Sequence, residues 1–204
     1  MSKKLVSDLL VDYLERRGVT KLFGLCGHTV IGMLDALSRS KKIEYIGTRH
    51  EAVASTAADG YARITHKASV VMCHLGPGLT NVITGVANAS LDSIPMVAIT
   101  ANVTLPMLGK DSFQEVDIPG VTMPITKYNF IVKDITKLAE TIRRAFKIAQ
   151  SGRPGPVLID ITKDVTAAEC DYEYKQPDPV KPLSDTITEE DMERALSLIH
   201  ASQK

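Results

Sequence analysis

Residues 69–101 read SVVMCHLGPGLTNVITGVANASLDSIPMVAITA, and this stretch decides the fold. Ser69 to Leu75 is a short apolar run, the pattern of a strand buried on both faces. The turn Gly76-Pro77-Gly78 punctuates it, and Thr80 to Leu91 then carries apolar residues at helical spacing. Pro95 to Ala101 is a second buried strand. Two such strands joined by one helix form a βαβ unit, and that unit implies a parallel sheet.

The same alternation continues on both sides. Upstream, Leu5, Leu9, Leu10, Tyr13 and Leu14 recur at helical spacing until Gly18 stops them. Lys21 to Leu25 is a strand, Val30 to Leu37 a helix, Ile43 to Ile46 a strand, and Glu51 to Ile64 an alanine-rich helix. Downstream follow a strand at Asn129 to Val132, a helix at Ile135 to Gln150 and a strand at Val157 to Ile161. The expected fold is α/β: a doubly wound, about six-stranded parallel sheet with helices on both faces. Residues 1–168 are assigned to this domain and 169–187 to a linker carrying Pro177, Pro179 and Pro182. Residues 188–204 form one C-terminal helix, with Thr188 as N-cap and Glu189, Glu190 and Asp191 in its first turn. A lone amphipathic helix behind a linker has no domain of its own, so the chain is expected to be a fragment cut at the start of a second domain.

Composition narrows the function. Among 204 residues, 24 basic side chains balance 24 acidic ones, which gives no bulk attraction to nucleic acid or to a membrane surface. Tryptophan is absent and aromatics are 5%, a poor basis for stacking single strands. Cys26, Cys73 and Cys170 are far apart, without the paired spacing that zinc requires, so no metal ligands are assigned. The N-terminus runs straight into an amphipathic pattern bearing Asp8, Asp12 and Glu15, unlike a signal peptide, and a cytoplasmic location is expected.

In open parallel sheets, ligands sit beyond the carboxyl ends of the strands, which directs attention to residues 26–29, 48–51, 75–80 and 102–118. Gly76-Pro77-Gly78-Leu79-Thr80-Asn81 lets backbone N–H groups approach a ligand, yet it lacks the last glycine of a dinucleotide fingerprint. It is either a ligand-binding turn or simply a tight strand-to-helix connection, and no GxxxxGK[ST] phosphate loop occurs in the chain. Glu51 follows Arg49-His50 at a helix start and is either a favourable dipole partner or a functional acid in small, apolar surroundings. Ala54, Ala58 and Ala62 on one helix, and Gly85 and Ala89 on another, suit a tight subunit interface or close packing within the chain.

Taken together, RHEAVASTAADGYAR (49–63), GPGLTN (76–81), SIPMVAITA (93–101), Phe113-Gln114-Glu115 and RPGPVLIDITKDV (153–165) occur in a fixed order. This series resembles the N-terminal pyrimidine-binding domain of thiamine diphosphate-dependent enzymes, in the acetolactate synthase-like branch. The likeness covers nearly all of residues 3–166, and ITEEDMERALSLIHASQK (187–204) resembles the first helix of that family's middle domain. It implies a 2-oxo acid carboligase that decarboxylates pyruvate and transfers the two-carbon unit to a second 2-oxo acid. Glu51 matches the glutamate that shares a proton with a ring nitrogen of the aminopyrimidine, while Gly27, Gly78 and Asn81 line that side of the cofactor. Phe113, Gln114 and Lys127 are implied at the substrate pocket.

The family's diphosphate and Mg2+ site carries a GDG motif. None occurs here, since Asp59-Gly60 lacks the leading glycine, so the chain is expected to hold the pyrimidine half alone and to be inactive by itself. FAD is possible in a longer protein, and a homo-oligomer, dimer or tetramer, is implied. One departure is Cys26-Gly27-His28-Thr29, where the family usually has proline-glycine-glycine. His28 is a candidate acid/base group or a solvent-facing loop residue. Three rivals remain: a 2-oxo acid decarboxylase of the same superfamily, a non-catalytic binding or assembly module, and a naturally split enzyme.

Overall fold

The computed structural model describes residues 3–171 and 187–202; the prolines of the expected linker, at 177, 179 and 182, lie outside the described residues. A short ribbon pairs β1 (Lys3–Leu5) antiparallel with β8 (Glu169–Asp171). The main sheet holds β2 (Lys21–Gly24), β3 (Glu44–Gly47), β4 (Ser69–His74), β5 (Met96–Asn102), β6 (Tyr128–Val132) and β7 (Pro156–Thr162). Their spatial order is β3-β2-β4-β5-β7-β6, and every neighbouring pair is parallel. The doubly wound, six-stranded expectation therefore holds.

Alternation along the strands distributes side chains to two cores. Val70 and Met72 of β4 face a core that also takes Leu10 and Leu14 from α1 (Val6–Arg16), Met33 and Leu37 from α2 (Ile31–Arg39), and Ile142 and Phe146 from α6 (Leu138–Gln150). Val71 and Cys73 face the other core, with Ala54 and Ala58 from α3 (Glu51–Thr65) and Leu79 and Val82 from α4 (Pro77–Leu91). Ile118 from α5 (Ile118–Thr122) closes that second core. Within the chain, α3 and α4 press their small residues together: a Cβ on Gly85 would fall 2.4 Å from Ser55 Oγ. Close intramolecular packing accounts for the alanine and glycine stripe.

The topology selects the site. From β2 the chain turns through α2 to β3 on one flank, and from β4 it turns through α4 to β5 on the other. The winding direction thus reverses between the carboxyl ends of β2 and β4, which opens a crevice there.

Some boundaries differ from the sequence expectation. Helix α4 starts at Pro77 rather than Thr80, because proline at the first helical position has no N–H to leave unpaired. Residues 169–171, expected as linker, pair with β1, and α7 (Lys163–Ala167) fills the end of the first domain. The C-terminal helix is α8 (Glu189–Ala201), opened by a reciprocal cap between Thr188 and Asp191, and its Met192, Leu196 and Ile199 are exposed. Among the described residues no helix is long and apolar enough to cross a membrane.

Candidate functional site

Glu51 is the first residue of α3 and is 8% exposed, buried by its position under the α4 turn. His50, the N-cap, accepts the Ala52 N–H at Nδ1, which fixes the helix start. Asn81, one turn into α4, donates from Nδ2 to Glu51 Oε2 at 2.9 Å. Glu51 Oε1 lies over Gly78, where a Cβ would come within 3.3 Å, and no described residue donates to it. The glycine-rich turn therefore keeps space open above one carboxylate oxygen while an amide holds the other. Sequence reasoning placed Glu51, Gly78 and Asn81 at one site, and the structure brings these three together.

Gly27, also assigned there, lies in the loop after β2 against His74, whose Cβ a side chain on Gly78 would also meet, at 3.2 Å. A Cβ on Gly27 would sit 2.6 Å from His74 Cβ, so its role is to let the β2 loop close onto β4. A short 3-10 turn, His28–Val30, follows. It places Thr29 Oγ1 2.8 Å from His74 Nδ1 and 2.8 Å from the Ala101 carbonyl oxygen. On the far side of its ring, His74 Nε2 meets Gln114 Oε1 at 2.8 Å. Lys163, at the start of α7, donates from Nζ to His28 Nε2 at 2.9 Å.

These groups, with Leu75, Val103 and Phe113, surround a cavity of about 330 Å3. Phe113 is 85% exposed at its rim. Gln114 has φ +59°, a strained left-handed conformation for this residue, and its carbonyl oxygen occupies the place of a Gly76 side chain: a Cβ there would fall 1.9 Å from it. Gly76, itself at φ +53°, is required at that contact. Glu115 ties the loop by accepting the Gly109 and Ser112 N–H groups, and these two bonds, Gly109 foremost, hold its carboxyl below the usual range.

His28, Phe113 and Gln114 thus line one cavity, and Lys127 is not among its lining. Its ammonium donates to the Ile148 and Ser151 carbonyls at the end of α6, beside the amino ends of β6 and β7, the opposite edge of the sheet. The correction has a topological reason: Lys127 precedes its strand, and in a parallel sheet that puts it far from the carboxyl-end crevice. His74 and Lys163 were missed. Both stand at the carboxyl end of a buried strand, and the rule that singled out the other loops would have found them. Asp59-Gly60 lies inside α3, where Asp59 accepts from Arg63 and Asn88. Among the described residues no cluster of three or more His, Cys, Asp or Glu is placed to hold a metal ion.

The chain's residues 4–121 match the family described as thiamine pyrophosphate enzyme, N-terminal TPP binding domain. Over 198 residues the chain is 42% identical to the acetolactate synthase isozyme 1 large subunit of Escherichia coli, covering 97% of this chain and 35% of that protein. It is 43% identical over 202 residues to the acetolactate synthase of Arthrospira platensis, covering 96% of this chain and 35% of that one. Against the acetolactate synthase of Mycobacterium bovis it is 47% identical over 168 residues, 82% of this chain and 27% of that protein. The chain therefore spans about a third of the length of the curated relatives it matches.

Proposed function

Since the chain belongs to the N-terminal TPP-binding domain family of thiamine pyrophosphate enzymes, we propose that it is the pyrimidine-binding domain of an acetolactate synthase-like 2-oxo acid carboligase. The observation that carries the reading is the Glu51 corner. One carboxylate oxygen is held by Asn81, and the other is left open over Gly78, in position to share a proton with a heteroaromatic ring nitrogen. When bound, thiamine diphosphate supplies the carbon nucleophile and the electron sink for decarboxylating a 2-oxo acid. Glu51 holds and returns the proton at Oε1, Asn81 keeps the carboxylate from rotating, and burial keeps water from competing for it.

The substrate side is the cavity between His74, Gln114 and Lys163. Lysine is a donor only, so its bond to His28 leaves two of the three ammonium protons for an anion. That suits the carboxylate of a 2-oxo acid. Residues 1–168 form this domain, and α8 opens the next one. The diphosphate, its Mg2+ and a flavin if one is used are engaged mainly by parts of the protein outside this chain, and the whole protein is a homo-oligomer, dimer or tetramer, of the cytoplasm.

A second reading, a simple 2-oxo acid decarboxylase, is favoured by the pairing of His28 with Lys163 at the cavity mouth, which offers a proton-handling group there. Product analysis with pyruvate on the whole enzyme separates the two: acetolactate supports the carboligase, and acetaldehyde alone overturns it. Calorimetric titration of the chain with thiamine diphosphate and Mg2+ tests the half-site. Weak binding is expected, and tight Mg2+-dependent binding overturns it.

A further inference from the structure

A second cavity, of about 320 Å3, lies between the carboxyl ends of β5, β7 and β6 and the segment 108–119, and shares no lining residue with the cavity around His74. Asp160 and Asn102 line it from the sheet. Asp160 stands level with Thr100 of β5 and Ile131 of β6. Alternation along β7 puts its side chain on the face of Leu158, the face that packs α3, α4 and α5.

The acids of this cavity differ in what they already hold. Glu115 accepts the Gly109 and Ser112 N–H groups, and Asp117 accepts the Gly120 N–H at Oδ1. Asp160 is 0% exposed; its Oδ2 takes the Asn102 amide at 2.6 Å, and its Oδ1 has no partner among the described residues. Asn102 cannot turn to help, because its own Oδ1 accepts the Val103 N–H at 2.8 Å. A buried carboxylate oxygen without a donor is costly, and in a cavity wall a ligand's donor relieves that cost.

Charge and shape choose the donor. The titratable residues of the lining are Asp111, Glu115, Asp117 and Asp160, and among the described residues no Lys, Arg or His joins them. No cluster of three or more His, Cys, Asp or Glu among those residues is placed to hold a metal ion, so the cation is organic. One free oxygen suits a single N–H of an ammonium better than the paired donors of a guanidinium. The rest of the wall is largely apolar, and the volume is at the lower end of small-molecule pockets, about 300–1,000 Å3.

We propose that this cavity binds a small aliphatic primary ammonium ion, which donates to Asp160 Oδ1 while its alkyl body packs on Leu108, Val116, Ile118 and Ile131. A carboxylate on the ligand would meet Asp111, Glu115 and Asp117, so amines are taken and amino acids refused. The site is separate from the Glu51 corner and takes no part in the 2-oxo acid reaction.

Binding should release a proton. Burial holds the Asp160 carboxyl up at about 7, against the Asn102 bond and the charge of Lys133 beyond β6, and the ammonium takes the ionised form. Glu115 is held below the usual range and the nearby Cys73 thiol is pushed up to about 12, so neither titrates between pH 6 and 8.

Calorimetric titration of the whole enzyme with isopentylamine tests the site. One amine per subunit should bind, about 10-fold more weakly at pH 6 than at pH 8, since only about a tenth of Asp160 is ionised at the lower value. Asp160→Asn should weaken binding at pH 8 at least 10-fold and remove the pH dependence. Ile131→Trp, at a partly exposed edge position, fills the cavity without altering the carboxyl and should weaken binding as well. Isopentyl alcohol, of the same shape without the charge, should bind far more weakly. No binding at pH 8, equal binding of the alcohol, or unchanged binding by Asp160→Asn overturns the proposal, and the cavity then belongs to water or to another part of the whole protein. Failure of the 2-oxo acid reading would leave these titrations unaffected.

Discussion

Three buried acids in this protein take a hydrogen bond from an asparagine amide; Asp59 is held by Arg63 as well, and the other two occupy opposite kinds of place. Glu51 accepts from Asn81 at 2.9 Å at the start of a helix, and Asp160 accepts from Asn102 at 2.6 Å in the middle of the sheet, between β7 and β5. Glu51 has its second oxygen over a glycine at the edge of a crevice. Asp160 is fully buried, its Oδ1 has no hydrogen-bond partner among the described residues, and burial pushes its carboxyl up to about 7 despite the opposing Asn102 bond. The two differ in what the second oxygen faces: Gly78 at the crevice for Glu51, and an unpaired, buried position for Asp160, which with Asn102 lines a separate cavity of about 320 Å3.

The largest effect expected from breaking this comparison is at Glu51. Glu51→Gln keeps an oxygen to accept from Asn81 but cannot hand over the proton, so turnover of the whole enzyme should fall by about 10²- to 10⁴-fold. Thermal unfolding should barely move. A variant retaining more than a tenth of wild-type kcat would remove Glu51 from the chemistry.

Asp160 should behave the other way. Its folded pKa, raised to about 7 from 3.8, means that the folded state keeps a proton which the unfolded chain has already lost between those values. Stability then falls as pH rises through that window, by on the order of 4 kcal/mol in all, and levels off above it. Asp160→Asn retains an acceptor for Asn102 and has nothing to ionise. Urea unfolding of the variant should flatten between pH 4 and 7 and lie above wild type at pH 8, with activity little changed. A wild-type curve that rises with pH across the same window would refute the assignment.

A smaller loss is expected where the Glu51 corner rests on helix packing. Gly85→Ala would place a Cβ 2.4 Å from Ser55 Oγ and 2.7 Å from the Ser55 backbone carbon, overpacking α3 against α4 at a cost of about 1–3 kcal/mol. Because backbone is involved, adding Ser55→Gly should restore only part of the loss in urea midpoint. Full restoration would mean that the side chain alone sets the helix spacing.

Much of this was legible in the sequence, and the failures are instructive. The six strands were readable because each is a continuous apolar run, and the order of strands and helices then fixed the layers. The β1–β8 ribbon was not readable, since three residues per strand carry no periodicity and their pairing spans most of the chain. Helix starts and glycine turns announced the two loops locally, but only the family resemblance placed Glu51, Gly78 and Asn81 at one site. His74 was missed although it stands at the carboxyl end of a buried strand, where ligand sites are expected: it closes the run SVVMCH like any strand residue, and its contacts are with Thr29 and Gln114, far away in sequence. Lys127 was assigned to the substrate pocket by the resemblance alone, and within this chain it lies at the opposite end of its strand from the crevice.

The gentlest test perturbs nothing and compares the dry interior with the wet mouth through two native thiols. Cys73 points from β4 into the core beneath α3 and α4, fully buried, and its thiol is pushed up to about 12, chiefly by burial, with the Glu51 and Asp160 charges adding to the effect and the Thr100 hydrogen bond opposing it. Cys26 sits exposed in the loop after β2. Only the thiolate reacts with an alkylating agent, so at pH 8 Cys26 should label readily, while Cys73 should label no faster than the domain opens. Rates of Cys73 labelling that follow urea concentration as global unfolding does would place the Glu51 corner in the most stable part of the fold. Labelling at a rate independent of urea would instead show that α3 and α4 part locally, and the tight fit at Gly85 would then have to be a weaker constraint than its distances imply.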